Sequence, residues 1–172
     1  EMCIETVSEF SQKRAGFVVD QTNFINRFDK ANTQGTIGLN ANTSNDLDLT
    51  SFHANARLGS SGTFTYSGTL TPQGDTYRVG GTAGTTGGGL EGVLTISSQL
   101  TDGIGPTTRH LNMGTSGSLL AGTVVLSNAA NSFTGNTTVE AGVLRIATDS
   151  NLGLSPVSPT PGKIVLTGGN LQ

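Results

Sequence analysis

Histidine and acidic side chains are the residues of this chain that could carry out catalysis or hold a metal ion, and their spacing argues against both. His53 and His110 are the only histidines and lie far apart, whereas zinc ligands usually come in closely spaced pairs. Asp75, Glu91 and Asp102 are each isolated in the sequence, although sugar-cleaving sites need two neighbouring carboxyl groups. We therefore predict no catalytic residue, no metal ligand and no cofactor, and we expect the chain not to be an enzyme.

Two acidic residues have the spacing of a calcium site. Asp46 and Asp48 stand two positions apart in a segment that alternates polar and apolar residues. In a strand this spacing places both carboxylates on one face, where Asn42 or Asn45 could add oxygen ligands for calcium. A solvated strand face explains the same pattern, and we favour it.

The glycine-rich run at residues 80–89 has the composition of a phosphate or calcium loop but lacks the residues that do the binding. It contains neither Lys nor Asp, whereas a phosphate-binding loop ends in Gly-Lys-Ser or Gly-Lys-Thr. We predict a turn between strands at this run.

Low charge limits the classes of partner. Charged residues make up 12% of the chain and the net charge is −3, so no basic stripe is available for a nucleic-acid backbone. Residues 1–34 hold nine of the 21 charged side chains (nine Lys or Arg, twelve Asp or Glu) and several Phe. We predict a more charged N-terminal segment at 1–34 and a regular part at 35–172. Because the chain opens on Glu1 and closes on what looks like a beginning strand, we expect it to be a segment of a longer protein.

Short β-branched clusters bounded by Gly, Asn or Ser indicate strands. The chain has 25 Gly and 26 Thr, and such short, frequent strands are typical of a sandwich, a barrel or a β-solenoid. Strands are predicted at residues 35–39, 46–50, 62–66, 68–70, 76–79, 93–96, 110–113, 123–126, 136–139, 143–146 and 163–166.

Internal repeats favour the solenoid among these folds. The segment 122–127 is echoed 40 positions later at 162–167, and the segment 141–145 is echoed at 168–172. In a solenoid, coils stack about 4.8 Å apart, with branched apolar residues inside and Thr outside. We expect Asn128, Asn131 and Asn136, which lie near turns, to form hydrogen bonds between coils through stacked amides.

The segment 122–153 carries five motifs in a fixed order. They are a glycine-led strand, an Asn-Ser-Phe-Thr-Gly turn at 131–135, a Thr-rich strand, a Gly-Val-Leu strand and a Leu-Gly corner. This order resembles the autotransporter-associated β-strand repeat of bacterial surface passengers, most clearly over 122–172. The resemblance implies an all-β fold, a right-handed parallel β-helix (solenoid) segment with a less regular N-terminal part, located on the bacterial outer surface or outside the cell.

The function expected from this resemblance is that of a non-catalytic structural or adhesive surface segment, a stalk or a subunit of a fibre or surface layer. Expected partners are further copies of the chain, or a host or matrix glycan or protein. Tyr66, Tyr77 and Phe133 are the residues we expect to touch such a ligand if they are exposed. A polysaccharide-acting enzyme on a β-helix and a carbohydrate-binding β-sandwich module remain as alternatives.

Overall fold

The computed structural model describes residues 15–17, 25–80, 92–104, 107–117 and 121–172. Within these ranges short strands dominate, with two 3-10 helices at Lys30–Asn32 and Asp149–Leu152. No helix in the described part is long and apolar enough to cross a membrane. The strands, in chain order, are β1 (Ala15–Phe17), β2 (Thr36–Leu39), β3 (Leu47–Asp48), β4 (Arg57–Ser60), β5 (Thr63–Tyr66), β6 (Leu70–Thr71), β7 (Thr76–Val79), β8 (Val93–Ile96), β9 (His110–Met113), β10 (Thr123–Leu126), β11 (Thr137–Val139), β12 (Val143–Ile146), β13 (Ile164–Leu166) and β14 (Asn170–Leu171).

These strands form three parallel sheets. Sheet A has the order β1-β2-β4-β7-β9-β11-β13, sheet B has the order β5-β8-β10-β12-β14, and a short third sheet pairs β3 with β6. From β7 onward the chain alternates between sheets A and B, so each pass through both sheets is one coil of a parallel β-helix. This confirms the predicted all-β solenoid. The β-sandwich alternative is wrong, because a sandwich of that kind is built from antiparallel strands. The right-handed sense of the coil stays a prediction.

Inward-facing side chains stack in columns along the solenoid. Ile37, Leu58, Val79, Met113 and Val139 occupy successive positions of one column in sheet A, and each has 0% of its surface exposed. Every strand in the column therefore covers the apolar side chain of its neighbour, which is the main stabilising contact of a stacked coil.

Alternation of burial follows the two-residue period of a strand. In β10, Val124 and Leu126 are buried whereas Thr123 and Val125 are partly exposed. The same alternation occurs in β7, β8 and β9. Thr123 therefore follows the expectation that Thr lies on the outside of the coil, whereas Thr137, which is 1% exposed, lies on the inside.

Glycine is required where the chain turns from sheet A into sheet B. Gly142 has φ of 77°, and a Cβ atom added there would lie 2.5 Å from the carbonyl oxygen of Gly122 in the adjacent coil. The turn therefore excludes other residue types both by backbone conformation and by lack of space.

One of the two predicted sequence echoes matches a structural repeat and the other does not. Val143 and Leu144 pair with Asn170 and Leu171, so the echo between 141–145 and 168–172 reflects equivalent positions in adjacent coils. The 40-residue echo is wrong as a repeat, because β10 lies in sheet B and β13 lies in sheet A. The two segments look alike because each has a glycine shortly before its strand and apolar residues within it.

Most predicted strands are present, but β4 was not predicted. Its residues Arg57–Ser60 offer a single large apolar side chain, Leu58, so no β-branched cluster marks it. All four residues are nevertheless buried, and β4 pairs with β2 and β7 on its two edges. Most of the 1–34 segment, residues 81–89 of the glycine-rich run, and Glu91 lie outside the described residues, so the boundary near 34 stays a prediction.

Candidate functional site

Three of the segments that lead from sheet B back to sheet A form one corner of the solenoid. This corner, called here the B-to-A corner, consists of the described residues 97–104, 107–109, 127–136 and 147–163. These segments follow β8, β10 and β12, so they belong to three successive coils. The predicted Asn-Ser-Phe-Thr-Gly turn at 131–135 lies in the middle one, and most of the polar contacts between coils are found here.

Asp102 and Lys163 hold the middle turn from opposite sides. The carboxylate of Asp102 accepts hydrogen bonds from the backbone N–H of Thr134 at 3.0 Å, from its hydroxyl at 2.7 Å and from the backbone N–H of Arg109 at 2.8 Å. Lys163 donates from Nζ to the carbonyl oxygens of Thr134 and, at 2.6 Å, of Gly135. The backbone N–H and carbonyl of Thr134 and the carbonyl of Gly135 are thus satisfied by side chains of neighbouring coils.

The contacts of Asp102 change the pKa of its carboxyl group. Partial burial acts to raise the pKa of its carboxyl group, but the hydrogen bonds from Thr134 and Arg109, together with the charge of Lys163, outweigh burial and leave the pKa below its ordinary value. Partial burial likewise lowers the pKa of Lys163, against the opposing effect of Asp102. The lowered pKa favours the charged form of Asp102, so its carboxylate acts with Lys163 as an electrostatic tie across the corner.

Asparagine side chains link the coils of the corner, as predicted for Asn128 and Asn131, but they do so through backbone groups. Asn131 is 6% exposed; its Oδ1 accepts from the N–H of Leu100 at 2.8 Å, and its Nδ2 donates to the carbonyl of Asn151 at 2.7 Å. Asn128 donates from Nδ2 to the carbonyl of Ser97 at 2.9 Å. The expected stacking of amide on amide is not the contact used, and Asn136 enters through its backbone N–H, which donates to His110 Nδ1 at 2.9 Å.

Tyr66, Tyr77 and Phe133 are wrong as ligand contacts. Their exposed fractions are 0%, 1% and 0%, because all three fill the interior of the solenoid. The phenol groups still find partners at the edge of the core. Tyr66 donates to the carbonyl of Thr69 at 2.8 Å, and Tyr77 donates to that of Thr101 at 2.8 Å. The sequence alone could not distinguish these buried aromatic residues from surface residues, because the interior is large and the chain has few other aromatic residues.

Tyr77 also contacts the guanidinium group of Arg109. Arg109 donates from Nη1 to the Tyr77 hydroxyl at 2.9 Å, and its guanidinium carbon lies 5.4 Å from the centre of the Tyr77 ring. Tyr77 belongs to sheet A and Arg109 to the B-to-A corner of the following coil. The contact therefore fixes Arg109 and the adjoining Thr101 side of this corner segment against the core.

The histidines serve as hydrogen-bond acceptors for turns. His53 Nδ1 accepts from the N–H of Asn55 at 3.1 Å, in the same way that His110 accepts from Asn136. The structure does not bring the two histidines together, and the described residues contain no group of three or more His, Cys, Asp or Glu that could hold a metal ion.

The candidate calcium ligands each cap a backbone group. Asp46 accepts from the N–H of Thr69 at 2.7 Å, Asp48 from Thr50 at 2.8 Å and Asn42 from Thr65 at 2.8 Å. The hydrogen bonds from Thr69 lower the pKa of the exposed Asp46 carboxyl group. Two of these caps join neighbouring coils, so the polar residues of 42–48 are explained by turn formation.

The acidic residues considered for sugar cleavage have separate local partners. Asp75 accepts from the hydroxyl of Thr76 at 2.7 Å, and that hydrogen bond lowers its pKa. Asp102 is engaged with Thr134 as described above. Because Glu91 lies outside the described residues, the prediction that the chain is not an enzyme remains a prediction.

Arg57 is a buried charge that sequence analysis missed. It points to the outside of sheet A, is only 5% exposed, and donates from Nη1 to the carbonyl of Gly114. Burial, together with the neighbouring Arg78, lowers its pKa to about 10. Glu140 holds the same loop, accepting from the N–H of Ser116 at 2.8 Å. No local sequence pattern predicts this contact, because Arg57 and Gly114 lie 57 positions apart in the chain.

Comparison with known families supports the predicted resemblance. Residues 121–146 match the family model described as passenger-associated-transport-repeat, a repeat of autotransporter passengers. The matched segment begins at the turn before β10 and ends with β12, which pairs directly with β10. One family repeat therefore corresponds to one coil plus the strand that closes it. No curated protein and no solved structure gives a significant match to the chain.

Proposed function

We propose that this chain is part of a passenger displayed on the outer surface of a bacterium, where it acts as a non-catalytic structural or adhesive solenoid. The observation that carries the proposal is the coincidence of the transport-repeat match at 121–146 with one complete coil. The repeat thus describes a unit of the scaffold.

The contacts at the B-to-A corner support a mechanical role. Asp102, Thr134 and Lys163 belong to three successive coils and are joined by charge-assisted hydrogen bonds. Asn131 spans three coils in the same way through Leu100 and Asn151. Side-chain ties of this kind resist separation of the coils and keep the solenoid extended, which suits a stalk.

Exposed aliphatic side chains are the adhesive element we propose in place of the buried aromatic residues. Ile104 and Val157 are fully exposed and Leu154 is 60% exposed. All three lie on the B-to-A corner, Ile104 between β8 and β9 and the others between β12 and β13. Exposed aliphatic groups beside polar loops fit a host or matrix protein better than a sugar, whose rings prefer aromatic faces.

Surface display is tested with antibodies raised against this chain. On the source bacterium, we expect antibodies to label intact cells and expect external protease to remove the labelling. A cytoplasmic protein, labelled only after permeabilisation, is the control. If this chain is also labelled only in permeabilised cells, the proposal is wrong.

The adhesive part is tested on purified chain with immobilised matrix proteins. We expect the double variant Ile104→Ser, Val157→Ser to bind at least severalfold more weakly than the parent. The control Ser155→Ala, Ser158→Ala changes the exposed loop that carries Val157 without removing apolar surface. Equal binding by all three proteins would remove adhesion through this corner and leave the structural role.

A further inference from the structure

Two buried polar groups on the outer face of sheet A lack partners. Arg57 of β4 is 5% exposed, and its Nη1 donates to the carbonyl of Gly114 in the segment that follows β9. In the described part of the chain, neither Arg57 Nε nor the buried Oγ1 of Thr115 has a hydrogen-bond partner. Thr115 directly follows Gly114, so both unpaired groups lie next to the Arg57–Gly114 contact. Buried polar groups are nearly always paired in native proteins, and an exception calls for a bound water or ion.

The charge around Arg57 is unbalanced. Leu58 pairs with Val79, so Arg57 and Arg78, which precede them, lie side by side on the outer face of sheet A. Burial, followed by the charge of Arg78, lowers the pKa of Arg57, and the charge of Glu140 offsets these effects only in part. Two guanidinium groups therefore share the charge of Glu140. Because a buried charge without full compensation is strongly unfavourable, a further negative group stabilises this arrangement.

The carboxylate of Glu140 is already engaged with neutral donors. Its Oε1 accepts from Asn112 Nδ2 at 2.9 Å, and its Oε2 accepts from the backbone N–H of Ser116 at 2.8 Å. These bonds hold the segment after β9 in place, and they direct both oxygens of Glu140 away from Arg57 Nε. The N–H group of Arg57 Nε and the hydroxyl of Thr115 thus remain as donors for a different anion.

The geometry of a guanidinium group selects the kind of anion. Its N–H donors lie in one plane in a fixed fork, which matches the oxygens of a carboxylate or a phosphate. We propose that Arg57 Nε and the Thr115 hydroxyl bind a small oxyanion on the outer face of sheet A, with Arg78 supplying a second positive charge.

The bound oxyanion acts as a clamp between coils. Arg57 belongs to β4 and Thr115 follows β9, and β7 lies between these two strands in sheet A. An anion held by both residues therefore fastens the segment after β9 to a coil that it does not adjoin in the sheet. This inference goes beyond the proposed function, because a structural solenoid requires no ligand.

Binding is measured by NMR on the isotope-labelled, purified chain, titrated with inorganic phosphate and separately with acetate at constant ionic strength. We expect the Nε–H resonance of Arg57, assigned by its absence from the Arg57→Lys variant, to shift and to saturate at millimolar anion. The exposed Arg145 on β12 is the internal control, and its resonance should show no saturable shift. Saturation with phosphate or with acetate supports the proposal and identifies which oxyanion is preferred. A resonance of Arg57 that does not respond to either anion would overturn the proposal and leave a bound water as the partner.

A second measurement does not depend on replacing Arg57. Thr115→Val removes the unpaired hydroxyl and keeps the shape of the side chain. The preferred anion should raise the melting temperature of the parent, and the concentration needed for half of this rise should be at least severalfold higher in Thr115→Val.

Thr123→Val is the matched control, because Thr123 is a partly exposed threonine on the outer face of sheet B. It should respond to the anion like the parent. Phosphate also stabilises proteins by general exclusion from their surfaces, and that effect is the same in all three proteins. An equal response of the parent and of both variants would therefore mean that the oxyanion is not bound at Thr115, and the proposal would be wrong.

Discussion

Asp102 accepts hydrogen bonds from both the backbone N–H and the hydroxyl of Thr134, at 3.0 and 2.7 Å, although 32 positions separate the two residues. The contact joins the corner of one coil to the corner of the next. Lys163 reaches the same turn from the third coil. One turn is therefore bound by an anionic side chain from the preceding coil and by a cationic side chain from the following coil. The B-to-A corner is therefore held by side chains as well as by the backbone ladder of the sheets.

Replacing the Asp102 carboxylate should weaken this corner. Asp102→Asn keeps the size of the side chain but removes the charge and one acceptor, so a hydrogen bond from Thr134 or Arg109 is lost. We expect a loss of about 1–2 kcal/mol in the free energy of unfolding, which lowers the melting temperature by roughly 2–8 °C for a chain of this length. Asp149→Asn is the control, because Asp149 is exposed. Equal effects of the two changes would contradict the assigned role.

The difference in stability between the parent and Asp102→Asn should depend on pH. The pKa of Asp102 is lowered in the folded chain, so its contribution to stability is complete above the unfolded value of about 3.9 and is lost as the pH falls through the lower folded value. The melting temperatures of the parent and of Asp102→Asn should differ at neutral pH and converge at about pH 2. A difference that persists unchanged in acid would show that the carboxylate charge is not the cause.

Sequence analysis could predict the solenoid because its signals are local. The segment 123–126 shows a glycine before the strand and an apolar residue at every second position, which a strand with one buried face requires. The order of motifs around Phe133 identified the repeat, and the structure places that repeat on one coil. In contrast, β4 has only Leu58 as a large apolar residue, and its burial comes from strands 21 positions away on either side.

The contacts of the candidate site were harder to predict for a physical reason. Whether Tyr77 is inside or outside depends on which sheet face it occupies, and a shift of one residue in register reverses that face. Arg57 is paired with Gly114 by the stacking of coils of unequal length, and these lengths are not encoded in any short pattern. The side chains of Asn128 and Asn131 were identified correctly as links between coils, because an amide that is removed from water at a turn must find partners, whereas the exposed Asn136 does not link coils through its side chain.

Asn131 should be one of the most sensitive positions of the corner. Asn131→Ala leaves the N–H of Leu100 and the carbonyl of Asn151 without partners in a buried setting. We expect a loss of about 2–4 kcal/mol, measured by urea unfolding. Asn136→Ala is the matched control, because the exposed Asn136 makes its contact with His110 through the backbone. A loss below 1 kcal/mol at Asn131, or a similar loss at Asn136, would contradict a structural role for the buried amide.

Gly142 should not tolerate a side chain. Gly142→Ala requires a residue with a Cβ at φ of 77° and places that Cβ 2.5 Å from the Gly122 carbonyl, so the adjacent coils must separate. Gly74 and Gly162 also have positive φ but have open space around the added atom. Alanine there should cost only the conformational term of about 1–2 kcal/mol, and Gly142→Ala should cost clearly more by thermal unfolding. Equal costs at the three positions would mean that the coils are not close at this turn.

Leu144 and Leu171 occupy equivalent positions in adjacent coils, but only Leu144 is fully buried. Leu144→Ala should cost about 2–5 kcal/mol, the usual range for a leucine removed from a packed core. Leu171→Ala should cost less than half of that in this 172-residue chain, because Leu171 is partly exposed and its removal leaves a smaller cavity. Urea unfolding of the two variants measures both values. Equal costs at the two positions would contradict the difference in burial between them.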